Sequence, residues 1–120
     1  MPARFRRTAL VVMLAAGLSV SGCDSSADSV DYIIDGGVDF IVALGTTAET
    51  PTLYLHERAV VAMFIKNHIA GRVPLVIGVG GNSTSEVLDQ LREFDLRGAD
   101  AILSVTPYYN KPSQEGLYQH

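Results

Sequence analysis

Gly36-Gly37-Val38-Asp39-Phe40-Ile41-Val42-Ala43-Leu44-Gly45-Thr46-Thr47 reads as a helix stop, a strand and a polar turn in immediate succession. The two glycines accept the left-handed backbone that closes a helix, so Val30 to Asp35 are expected to be its last turns. Val38 to Leu44 is almost continuously apolar and rich in β-branched side chains, which suits a strand covered on both faces of a parallel sheet. The polar turn Gly45 to Thr52 then leads toward a helix expected over Leu53 to Ala70. Val61, Ile65 and Ile69 fall on one face of that helix, and Gly71 ends it.

The same unit recurs downstream. Val73 to Val79 is a second strand, with Pro74 near its start where a missing N–H does least harm. Gly80-Gly81-Asn82 turns the chain, and Ser83 with Glu86 has capping-box spacing. Val87, Leu91 and Phe94 line the next helix, which Gly98 stops. Ala99 to Val105 is a third strand, the loop Thr106 to Pro112 follows, and Ser113 to Tyr118 begins another helix. Gly98-Ala99-Asp100-Ala101-Ile102 repeats Gly37-Val38-Asp39-Phe40-Ile41 at an offset of 61 residues, two βα steps of roughly 30. Such alternation belongs to an α/β fold, either a (β/α)8 barrel or a doubly wound sheet. A whole barrel takes about 250 residues, so 120 residues are expected to form a partial (β/α)8 TIM barrel of about three βα units, without the barrel's first strand.

The start of the chain reads differently. Arg4, Arg6 and Arg7 precede the apolar run Ala9 to Leu18, shorter than the roughly 20 residues that cross a bilayer as a helix. The pattern is that of a secretory signal, here a short apolar helix or a disordered segment. Val20-Ser21-Gly22-Cys23 resembles a lipobox. This gives an expected organisation of residues 1–23 as a signal-like segment with Cys23 as lipidation site, 24–29 as a polar tether and 30–120 as the barrel fragment. From Cys23 onward the chain carries six basic and thirteen acidic residues, a formal charge of −7 over 98 residues. That balance argues against a nucleic-acid partner and offers an anionic membrane nothing, so membrane contact would come only through the lipobox. One cysteine excludes an intrachain disulfide framework, and His56, His68 and His120 share no metal-ligand spacing, so no metal is expected.

In both parallel architectures chemistry sits at the C-terminal ends of the strands, which selects the loops Gly45 to Thr52, Gly80 to Ser83 and Thr106 to Pro112. Thr46 and Thr47 offer hydroxyls and amides to a carboxylate or phosphate, or simply bond their own turn. Gly78-Val79-Gly80-Gly81-Asn82-Ser83 falls short of a dinucleotide fingerprint because serine stands at its last glycine, leaving tight-turn glycines as the better reading. Tyr108 and Tyr109, between Pro107 and Pro112, pack or relay a proton.

The stretches Gly36 to Thr47, Gly78 to Asn82 and Ser104 to His120 closely resemble dihydrodipicolinate synthases (4-hydroxy-tetrahydrodipicolinate synthases), and the resemblance runs from about Val30 to His120. It implies a lyase of lysine biosynthesis by the diaminopimelate route, related to class I aldolases, cytoplasmic and usually a homotetramer. In that family pyruvate forms a Schiff base with a lysine, and the enamine attacks aspartate semialdehyde with no cofactor. By position Thr46 resembles the hydroxyl of the family's proton relay and Tyr109 the relay tyrosine lent across a dimer interface. Thr47 resembles the contact to the pyruvate carboxylate, while Asn82, Glu86 and Tyr108 match the lysine-effector site. Ala48 replaces a glycine, Tyr54 a helix-capping serine, and Leu55 and Arg58 two effector-site residues. The Schiff-base lysine has no counterpart within the 120 residues, so the fragment itself is expected to be inactive. The competing readings are an exported envelope protein anchored through Cys23, with a non-catalytic body, and a doubly wound nucleotide binder.

Overall fold

The computed structural model describes residues 10–11, 23–109 and 111–120. Four strands alternate with four helices: β1 (Leu10–Val11), α1 (Cys23–Asp35), β2 (Ile41–Ala43), α2 (Leu55–Ile69), β3 (Leu75–Gly78), α3 (Thr84–Glu93), β4 (Ala101–Leu103) and α4 (Gln114–Gln119). The strands form one parallel sheet in the order β1-β2-β3-β4. Each strand lies beside its predecessor in sequence with no reversal. A doubly wound sheet reverses at its switch point, whereas a (β/α) barrel adds strands in this monotonic way. The α/β class and the partial barrel expected from the repeat are what the chain forms.

Two expectations near the start need correction. Leu10–Val11, expected in an apolar helix or disordered signal, pairs in parallel with Ile41 and Val42, so a strand does precede α1. Residues 24–29, expected as a polar tether, lie inside α1, which begins at Cys23. Serine and aspartate are poor helix formers, but their propensity penalty is a few tenths of a kcal/mol each, small beside the packing of one apolar face. Val30 supplies that face, fully buried, with Ile33 and Ile34 packed beside it. The rest of the signal-like segment lies outside the described residues.

The glycines close α1 as its sequence requires: Gly36 N–H bonds Tyr32 O, Gly37 N–H bonds Ile34 O, and Gly37 takes φ 76°. Strand β2 is buried on both faces, and Val61, Ala62, Ile65 and Ile69 of α2 cover it together with β3. The strands are shorter than their apolar runs. Leu44 adopts φ 56°, which ends β2 before the run does. In β4 all three residues are exposed, because β4 has a neighbour on one side only. The repeated aspartate has a role there: Asp100 Oδ2 accepts from Leu75 N–H at 2.8 Å while Asp100 N–H donates to Leu75 O at 2.8 Å. That reciprocal pair stitches the starts of β3 and β4.

Candidate functional site

The loops after β2, β3 and β4 meet in one cleft of about 250 Å³. A 3-10 turn, Thr46–Ala48, carries the two threonines directly out of β2, and a second, Thr50–Thr52, leads into α2. Glu49 between them sits at φ 51°, so the left-handed residue of this loop is Glu49. Ala48 is buried with its N–H on Gly45 O at 2.9 Å and is not among the residues at positive φ, so its Cβ carries no backbone strain.

Two glycines let the loops approach. A Cβ on Gly78 would overlap the carbonyl of Leu44, and one on Gly80 would lie 2.8 Å from Val105 Cγ1. The glycine cluster is thus explained by close backbone approach rather than by a bound dinucleotide. Asn82 then fixes the third loop to the second by accepting from Tyr108 N–H at 2.8 Å. Ser83 begins α3, its Oγ receiving Glu86 N–H at 3.5 Å, while the Glu86 side chain lines the cleft.

Thr46, Asn82, Glu86 and Tyr108 therefore share the cleft, with Arg58, Thr50 and Gln90. Thr47 and Tyr109 do not line it. Tyr109 is 92% exposed with φ 71°, and among the described residues no hydrogen bond joins it to Thr46 or Thr47. Arg58 is held by donating Nε–H to Leu53 O at 3.0 Å. Gln90, which the sequence reading passed over, is the buried polar residue of α3 and donates Nε2–H to Gly80 O at 3.3 Å. Its signal was present: three residues after Val87 and four before Phe94, a glutamine on the apolar face needs a buried partner. Arg58 and Glu86 give the cleft one charge of each sign.

No lysine lines this cleft. Lys66 lies toward the far end of α2, where its Nζ meets Asp95 Oδ2 at 2.6 Å. The histidines are likewise occupied elsewhere: His56 stacks on Tyr54, His68 meets Asp31, and His120 Nδ1 pairs with Thr84 Oγ1 at 2.8 Å. Among the described residues no three metal-binding side chains converge, and no helix is long and apolar enough to cross a membrane.

A profile of the dihydrodipicolinate synthetase family matches residues 22–120. The chain belongs to this family. The 4-hydroxy-tetrahydrodipicolinate synthase of Parabacteroides distasonis is 54% identical over 91 residues, covering 76% of this chain and 31% of that protein. The enzyme of that name from Cytophaga hutchinsonii is 46% identical over 116 residues, covering 94% of the chain and 38% of that protein. Among solved structures, the chloride-inhibited dihydrodipicolinate synthase of Acinetobacter baumannii, complexed with pyruvate, superposes with a TM-score of 0.82 at 40% identity over 95% of this chain and 40% of that one. The chain spans about a third of the length of the curated dihydrodipicolinate synthetase family members it matches.

Proposed function

We propose that these 120 residues furnish the hydroxyl-bearing side of a 4-hydroxy-tetrahydrodipicolinate synthase site, in a lyase of lysine biosynthesis acting in the cytoplasm. In that reaction pyruvate is held as a Schiff base on a lysine, loses a methyl proton to become an enamine, and attacks the aldehyde of aspartate semialdehyde; the iminium itself is the electron sink. The observation that carries the reading is the family match over residues 22–120, which includes the Gly45-Thr46-Thr47 turn leaving β2.

Thr46 is the relay hydroxyl in this reading, passing protons toward Tyr109, which serves a neighbouring subunit of a homotetramer. The exposure of Tyr109 suits a side chain that works outside its own chain. Thr47 holds the pyruvate carboxylate, and Asn82, Glu86 and Tyr108 receive a lysine effector. Both lysines of the chain, Lys66 and Lys111, lie outside the cleft, so the chain alone forms no imine there and does not turn over.

The test exchanges residues 23–120 into the Parabacteroides distasonis enzyme. The chimera is expected to condense pyruvate with aspartate semialdehyde, with Thr46→Val lowering kcat about 100-fold and Thr47→Ala raising KM for pyruvate. Equal kcat for the chimera and its Thr46→Val variant would remove Thr46 from the chemistry. Separately, the 120-residue chain treated with pyruvate and borohydride should show no mass increase, whereas a pyruvyl adduct on Lys66 or Lys111 would overturn the inactivity.

A further inference from the structure

Among the described residues Gln90 is the one polar side chain that is buried, at 6% exposure. It stands on the face of α3 that Val87 and Phe94 turn to the core, where a leucine would pack without needing a partner. Its Nε2–H donates to Gly80 O at 3.3 Å. The amide has one orientation that works, since turning it over would set Oε1 against the carbonyl, two acceptors face to face. Gly80 is confined from the other side as well: a Cβ there would lie 2.8 Å from Val105 Cγ1 and 3.0 Å from Val105 N. The first residues after β3 are therefore gripped between the end of β4 and Gln90.

That grip matters two residues later. Asn82 Oδ1 accepts from Tyr108 N–H at 2.8 Å, the contact that ties the loop after β4 to the loop after β3. The helix cap holds this turn only weakly, because Glu86 N–H reaches Ser83 Oγ at 3.5 Å, the far limit of a hydrogen bond. Gln90, four residues after Glu86 on the same helix, supplies a second tie from α3 to the turn. We infer that Gln90 is a positioning residue of the cleft: by holding the Gly80 carbonyl to α3 it sets Asn82 where Asn82 meets Tyr108. Asn82, Glu86 and Tyr108 are the residues assigned above to a lysine effector, so the regulatory consequence rests on that reading. The positioning itself does not.

Hydrogen exchange in the 120-residue chain tests the positioning directly. Gln90→Met keeps the length and packing of the side chain and removes the donor. The Tyr108 amide should then exchange roughly tenfold faster, close to its rate in Asn82→Ala, while the amides of Ile41 and Ile77 keep their protection. A residue that served packing alone would move all three amides together or none. Gln90→Glu, which sets a carboxylate oxygen against the Gly80 carbonyl at neutral pH, should free the Tyr108 amide in the same way. A Tyr108 amide that exchanges alike in the parent and both variants overturns the assignment, as does equal loss of protection at Ile41, Ile77 and Tyr108. The Parabacteroides distasonis chimera carries the regulatory arm: Gln90→Met should raise the L-lysine concentration for half-inhibition roughly tenfold. A parent chimera that L-lysine does not inhibit removes the effector reading and leaves the exchange rates to decide the part of Gln90. An inhibited chimera whose Gln90→Met variant responds at the same L-lysine concentration overturns the regulatory consequence.

Discussion

Gly78 and Gly71 show how differently two glycines constrain the same chain. At Gly78 an added Cβ meets the Leu44 backbone carbonyl, which cannot turn away as a side chain would. Gly78→Ala should therefore cost about 3 kcal/mol in urea unfolding, an overpacking penalty at the high end. Gly71 has open space around it but φ +74°, so Gly71→Ala should cost only about 1 kcal/mol, for the left-handed backbone alone. Charge acts at this scale through Asp31, whose carboxyl is held below its ordinary 3.8 by Arg72 first and by His68 second. Asp95 is likewise depressed, chiefly by Arg97 and then by Lys66. A carboxylate whose folded pKa is depressed adds stability above its unfolded value and gives it up as pH falls through the folded one. Urea midpoints should thus hold steady from neutrality down to about pH 4 for these two groups and decline below it. Asp31→Asn should flatten part of that decline.

The start of α2 retains half of a capping box. Glu57 Oε2 accepts from Tyr54 N–H at 2.8 Å, but Tyr54 supplies no short hydroxyl to the first-turn amides. Tyr54→Ser should restore the other half and raise thermal stability by about 0.5–1 kcal/mol. Further along the helix Ile65 is fully buried in the core cluster that includes Ile41 of β2 and Ile77 of β3, and Ile65→Ala should cost about 3 kcal/mol with m unchanged. These elements were also the ones most legible in the sequence. The spacing of Val61, Ile65 and Ile69 is fixed by helical geometry, and burial follows it. The strand ends were less legible, since Leu44 turns left-handed where its carbonyl lies against Gly78 of β3, a neighbour no local window contains. Residues 24–29 misled for a related reason: their composition describes a tether, and the packing of Val30 and its neighbours outweighs it.

The arrangement of the whole chain follows from the βα repeat, which the 61-residue echo of Gly-x-Asp made visible. What the repeat withheld was which loop residues meet. Thr46, Asn82, Glu86 and Tyr108 share a cleft because three successive loops converge, whereas Thr47 and Tyr109, equally marked by the sequence, stay outside its lining. Adjacency in sequence put Thr47 beside Thr46 and Tyr109 beside Tyr108, but neighbouring residues in a tight turn face different ways.

The monotonic order of the strands has a consequence for how the chain acquires its shape. Every strand after the first finds its partner in the unit synthesised immediately before it, and no described strand waits for one still to be made. Loop closures are accordingly of one βα length at most, which keeps the entropic toll of each docking step modest. Assembly can advance from the amino end at the pace of the ribosome, each new hairpin-sized piece settling on a surface that already exists.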